Sequence, residues 1–130
     1  MLSSADSLDL FRLVVEQAPD AIIFSDREGV IRIWNSAAAE LFGYLPEEAV
    51  GRTLDIIVPE HLRQAHWEGF GNAVAFGHTK HGTGAMKTRA TPKAGQKLYV
   101  NLAFSVVKDR EGKVIGAMAT ARPFTEDKTQ

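Results

Sequence analysis

Residues 59–86 read PEHLRQAHWEGFGNAVAFGHTKHGTGAM, from Pro59 to Met86. The first two-thirds has helical spacing. His66, Gly69, Phe70, Ala73, Val74 and Gly77 recur at i, i+3, i+4, i+7, i+8 and i+11, which is one face of a helix. That helix runs from near Pro59 to near Gly77 and turns through a glycine-rich segment into a strand. An imidazole therefore shares its face with small residues one and two turns further on. Such a face either presents a histidine nitrogen to a flat ligand lying against the helix, or packs tightly on a sheet. The function of the chain turns on which of the two holds.

The flanking segments show what the helix packs on. Ahead of it, Asp6 to Gln17 has the stripe Leu8, Phe11, Val15, with Ser3, Ser4 and Asp6 available as caps and Leu10, Leu13 and Val14 widening the apolar arc. This helix either presents one broad face to the core or divides itself between the domain and a partner chain. Ala21 to Phe24 and Val30 to Trp34 form a hairpin across the turn Ser25-Asp26-Arg27-Glu28-Gly29. Trp34 is placed on the outer face of that hairpin. Asn35 to Phe42 is a short helix stopped by Gly43. Pro46 opens another, with Glu47 and Glu48 near its positive end. Thr53 to Val58 is a connection.

Beyond the long helix the period falls to two. Ala85 to Thr91 alternates, as do Leu98, Val100, Leu102, Phe104 and Val106, and Val114 to Ala121 closes the series. Adjacent strands joined by tight turns pair antiparallel. The expected architecture is α+β: a five-stranded antiparallel sheet, a helical block on one face, and an N-terminal flanking helix over residues 1–18. The body then spans 19–125, with a polar tail at 126–130. In the last strand Ala117, Ala119 and Ala121 share one side, which leaves volume opposite the long helix.

These elements carry residues that resemble the PAS domain, a sensory module of bacterial signalling proteins. Asp26, Gly29, Ile31 and Asn35 match its hairpin. Ala37, Ala38, Phe42, Gly43 and Tyr44 match the helix that follows. Glu47, Glu48 and Gly51 match the next turn, and Val58, Pro59, Glu60 and Arg63 the entry to the long helix. Ala94-Gly95 stands where the family has Asp-Gly. Arg122-Pro123-Phe124-Thr125-Glu126 resembles the segment that ends many such domains, with Pro123 in place of Asp.

The resemblance narrows the chemistry. Flavin–cysteinyl and thioester chromophores need a cysteine, and the chain has none. Pro59-Glu60-His61-Leu62-Arg63-Gln64-Ala65-His66 is similar to the long-helix motif of haem-binding PAS domains, which implies haem b with His66 as proximal iron ligand. Gly69 and Phe70 stand where those proteins have Tyr and Ile. Met86 stands where they place an oxygen-stabilising Arg. A thioether cannot donate to bound oxygen, so Met86 implies six-coordinate iron, or a pocket suited to carbon monoxide or redox. Ala73 lies on the same face, and Lys80 and His81 are placed to meet the propionates. The same motif also suits a His66 that is merely part of the core, a small apolar metabolite in place of haem, or a cofactor-free interaction module.

Composition sets outer bounds. The chain has 130 residues, 45% apolar and 24% charged, with a net charge of −1, so it lacks the basic surplus that draws proteins to nucleic acid or anionic membranes. No apolar run has membrane-spanning length, and the expected setting is cytoplasmic. No Ser/His/Asp set, paired carboxylate or H-E-x-x-H is present, so no enzyme is expected. The expected partners are a second copy, through the N-terminal helix or the sheet face, and a downstream or separate signalling effector.

Overall fold

The structure, a computed structural model, describes residues 3–79 and 84–125. The elements run α1 (Ser4–Gln17), β1 (Ala21–Asp26), β2 (Ile31–Trp34), α2 (Ser36–Phe42), α3 (Pro46–Ala49), two 3-10 turns (Leu54–Ile56 and Glu60–Leu62), α4 (Arg63–Phe76), β3 (Met86–Ala90), β4 (Leu98–Lys108) and β5 (Val114–Pro123). The strands form a single antiparallel sheet in the order β2-β1-β5-β4-β3. The last strand in sequence thus occupies the centre. The helices from α2 to α4 lie over one face, as expected.

Register explains why this face is hollow. Phe104 pairs with Ala119, Ala119 with Ile23, and Ile23 with Trp34, so one row of side chains crosses four strands. Its central member is an alanine between larger neighbours. The next inward row, Leu102–Ala121–Ala21, repeats the pattern with small residues in the middle. Because inward side chains alternate along each strand, a methyl group at the centre of the sheet leaves space that the helices above must either fill or enclose.

The core runs across the sheet, from Ile31 on β2 to Val100 on β4. Ile23, Ile31, Phe42 and Val100 are its largest fully buried apolar residues. Trp34 belongs here and not on the outer face. It is 4% exposed, its ring meets Phe42 and Tyr44, and its indole N–H donates to the Tyr44 carbonyl at 2.9 Å. The bulge between Phe24 and Ser25 resets the alternation, so Ile31 and Trp34 point inward while Ile33 points out.

Asn35 fastens several elements at once. Its side-chain oxygen caps α2 through the Ala38 amide and also accepts from the Ile22 amide. Its amide nitrogen donates to the Val15 and Asp20 carbonyls. One buried amide therefore ties the end of α1, the start of β1 and the start of α2. The ion pair Asp20–Arg122 closes the same corner.

Helix α1 is capped by Ser3 and otherwise stands apart from the core. None of its residues is buried, and Leu8, Phe11 and Val14 are each at least 60% exposed. The single broad core-facing arc does not hold, because only Ser7 and Val15 are even half-buried. At the other end of the chain, Pro123 still lies opposite Val100 in the ladder, and pairing continues when the Phe124 amide donates to the Tyr99 carbonyl. The polar tail expected at 126–130 lies outside the described residues.

Candidate functional site

Helix α4 is not held by propensity, since Gly69 and Gly71 each cost roughly 1 kcal/mol against alanine. It is held by what it buries and by its ends. Phe70, Ala73 and Val74 face the sheet. At the start, the Arg63 guanidinium donates to the carbonyls of Val58 and Asp55. At the end, Gly77 adopts the left-handed conformation, with φ 78°, and its amide closes on the Ala73 carbonyl. Trp67 anchors the middle: its indole N–H donates to Asp55 Oδ1 at 2.7 Å.

His66 sits one residue from that anchor. Its ring is 4.8 Å from Trp67 and 6.1 Å from Phe70, and Phe70 in turn stacks edge-on to Phe104 of the sheet. Nδ1 of His66 is buried and has no hydrogen-bond partner among the described residues. Burial pushes the imidazole below its ordinary value, and the Asp55 carboxylate opposes this in part. The histidine is thus neutral near pH 7, with a lone pair or an N–H facing the interior.

Two compartments meet at this residue. The outer one, about 360 Å³, is lined by Ala65, His66, Gly69, Phe70, Ala73 and Met86, with Thr88, Leu102 and Phe104 as its floor. The inner one has a similar volume, about 360 Å³, and reaches past His66 to Ile23, Phe42, Leu54, Ile57 and Ala119. His66, Ala65, Thr88, Leu102 and Phe104 belong to both walls. Each compartment lies in the range of small-molecule pockets, roughly 300–1,000 Å³.

The five described residues expected at a ligand site, His66, Gly69, Phe70, Ala73 and Met86, all line the outer compartment. Lys80 and His81 lie outside the described residues. Gly69 contributes by lacking a side chain: a Cβ there would meet nothing within 4 Å. Met86 is 45% exposed, which rules it out as core filling and puts it at the rim. His61 and His78 are exposed, and among the described residues no group of three His, Asp or Glu side chains is gathered as for a metal ion.

The inner compartment was not legible from spacing, apart from Ala119. Its wall comes from six separate segments, and no periodic signal links them. Arg89 alternates with Thr88 and Ala90 along β3 and lies opposite Tyr99 of β4. Its Nε is buried and without a partner among the described residues.

A family model described as "PAS fold" matches residues 15–129. The chain belongs to the PAS fold family. This PAS domain is 29% identical over 112 residues to the oxygen sensor protein DosP of Escherichia coli, covering 86% of the chain and 14% of DosP. It is 38% identical over 55 residues to the sensor protein FixL of Bradyrhizobium diazoefficiens, covering 42% of the chain and 11% of FixL. The chain therefore spans a small fraction of the curated relatives it matches. Among solved structures, the PAS domain of a Colwellia psychrerythraea protein superimposes with a TM-score of 0.78 at 22% identity, covering 92% of this chain and 98% of that one. Among the described residues, no helix is long and apolar enough to cross a membrane.

Proposed function

We propose that this PAS domain is the sensory module of a signalling protein, and that its outer compartment takes haem b with His66 as the axial ligand. One observation carries the proposal: an unpartnered, neutral imidazole in the shared wall of two apolar compartments. A buried polar nitrogen without a partner costs free energy unless something in the cavity meets it. An iron centre is one such partner, and neutral imidazole is a common ligand for it.

The remaining residues fit the group. Gly69 and Ala73 leave the helix flat, Phe70 and Leu102 supply apolar walls, and Met86 brings a thioether to the same compartment. Haem held there would supply a centre that responds to gas or redox state. The named relative, an oxygen sensor, supports the same reading. Neither compartment presents a carboxylate among its described lining residues, which supports detection over catalysis. The apolar exposure of α1 supports a homodimer, with output passing to a downstream or separate effector in a cytoplasmic setting.

The test is an absorption spectrum of purified protein incubated with haemin. An intense Soret band in the wild type, absent from His66→Ala, is expected. A band that survives the substitution removes His66 from the ligand role. A second reading, a small apolar metabolite, is favoured by the apolar lining if no band forms yet an apolar dye is taken up.

A further inference from the structure

The Nδ1 atom of His66 has no hydrogen-bond partner among the described residues, so no bond at that nitrogen orients the ring. The terminal torsion of a histidine is broad in its own preference. Packing must therefore set the angle at which the imidazole faces the cavity.

Two other rings do the packing. Trp67 lies 4.8 Å from His66 with its plane at 71°, Phe70 lies 6.1 Å away, and Trp67 and Phe70 are 5.4 Å apart. The three rings close a triangle, and it has two anchors outside itself. Phe70 meets Phe104 of the sheet at 6.3 Å, and the Trp67 indole N–H donates to Asp55 Oδ1 at 2.7 Å. Ring contact tolerates sliding, whereas an N–H aimed at a carboxylate fixes both a distance and an angle. The turn that carries Asp55 is itself tied on two sides. The Leu54 amide donates to the Gly29 carbonyl at 3.1 Å, and the Thr91 amide donates to the Ile57 carbonyl at 2.9 Å. The absent side chain of Gly29 leaves the indole its place, since a Cβ there would lie 2.2 Å from it.

We infer that Asp55 is a positioning residue for His66: through the Trp67 indole it fixes the orientation in which the imidazole meets a ligand. The inference deepens the haem reading and rests on it for the nature of that ligand. Groups that orient a metal-binding histidine commonly accept the second N–H of the ring itself. Here the hydrogen bond is made instead by the next residue along the helix, and the indole passes the constraint to the imidazole by contact.

The test compares Asp55→Asn, Asp55→Ala, Trp67→Phe and Arg63→Ala in the haem-free and haemin-loaded protein. Asparagine keeps an oxygen for the indole, alanine removes it, and phenylalanine keeps a ring without the N–H. Arg63→Ala is the control, because Arg63 ties the same turn to α4 through the Val58 and Asp55 carbonyls. In the haem-free protein, proton magnetic resonance reads the His66 ring signals, which the neighbouring indole shifts. They should move in Asp55→Ala and Trp67→Phe and stay in place in Asp55→Asn and Arg63→Ala. In the loaded protein, the iron–histidine stretching band should follow the same division, and haemin should leave Asp55→Ala and Trp67→Phe about tenfold faster. The double variant Asp55→Ala, Trp67→Phe should be no worse than either single, since both remove one bond. If the alanine variant does not fold, Asp55→Asn and Trp67→Phe decide the matter between them. His66 signals indifferent to loss of the indole bond would overturn the inference. So would an Arg63→Ala variant that moved them equally, since general loosening of the turn would then be the cause. A wild type that takes up no haemin would sink the haem reading, and the haem-free signals would still decide the role of Asp55.

Discussion

The ring edge of Trp67 closes over Gly29. A Cβ built on Gly29 would lie 2.2 Å from the indole, and the glycine backbone holds a φ of 80°. The hairpin turn and the ligand-facing helix thus meet through a residue that has no side chain. The same indole is fixed by Asp55, so Trp67 links β1–β2, the 3-10 turn and α4 at a point adjacent to His66.

Gly29→Ala should accordingly destabilise the domain by about 2–3 kcal/mol, combining left-handed strain with overpacking. Urea denaturation of the two proteins measures it. An effect below half a kilocalorie per mole would mean that the indole can swing aside.

Asn35→Ala removes a buried amide that makes four hydrogen bonds to three elements. The expected cost is about 3–4 kcal/mol, at the upper end for a single substitution. Hydrogen exchange should show the amides at the end of α1 and at Ala38 losing protection first.

His66→Leu replaces an unpartnered buried imidazole with an apolar side chain. It should leave stability unchanged or raise it by about 1 kcal/mol while abolishing the Soret band. A thermal melt showing a large loss of stability would instead mean that the imidazole has a partner that stabilises the fold.

The pH dependence has a definite sign. The folded protein holds His66 below its ordinary value of 6.5, so the unfolded chain takes up the proton more readily. The stability due to a neutral His66 is fully present above 6.5 and is lost as the pH falls below it toward the folded value. Denaturation midpoints across that range should decline in the wild type and decline less in His66→Gln.

Deleting residues 1–17 should convert a dimer to monomers in light scattering, because Leu8, Phe11 and Val14 are exposed and nothing in the domain covers them. A dimer that persists would place the contact on the outer sheet face, where Ile115 and Tyr99 are also exposed.

The local chemistry of this chain was legible because each signal acts over a few residues. Helical spacing from His66 to Gly77, two-residue alternation in β4, and the caps at Asn35 and Gly43 depend on neighbours along the backbone. Those signals also marked the face of α4 that carries His66. Trp34 shows where they stop. Opposite Phe24 and Ser25 the strand carries one extra residue, Arg32, and that bulge is defined only by pairing with β1.

The sequence by itself determined the elements, their order and the helix face that bears the imidazole, since propensity, capping and periodicity are local properties. Only the tertiary structure decided that His66 divides two compartments. Cavity walls are assembled from strands paired in register and loops distant in sequence, and the space between them belongs to no single segment.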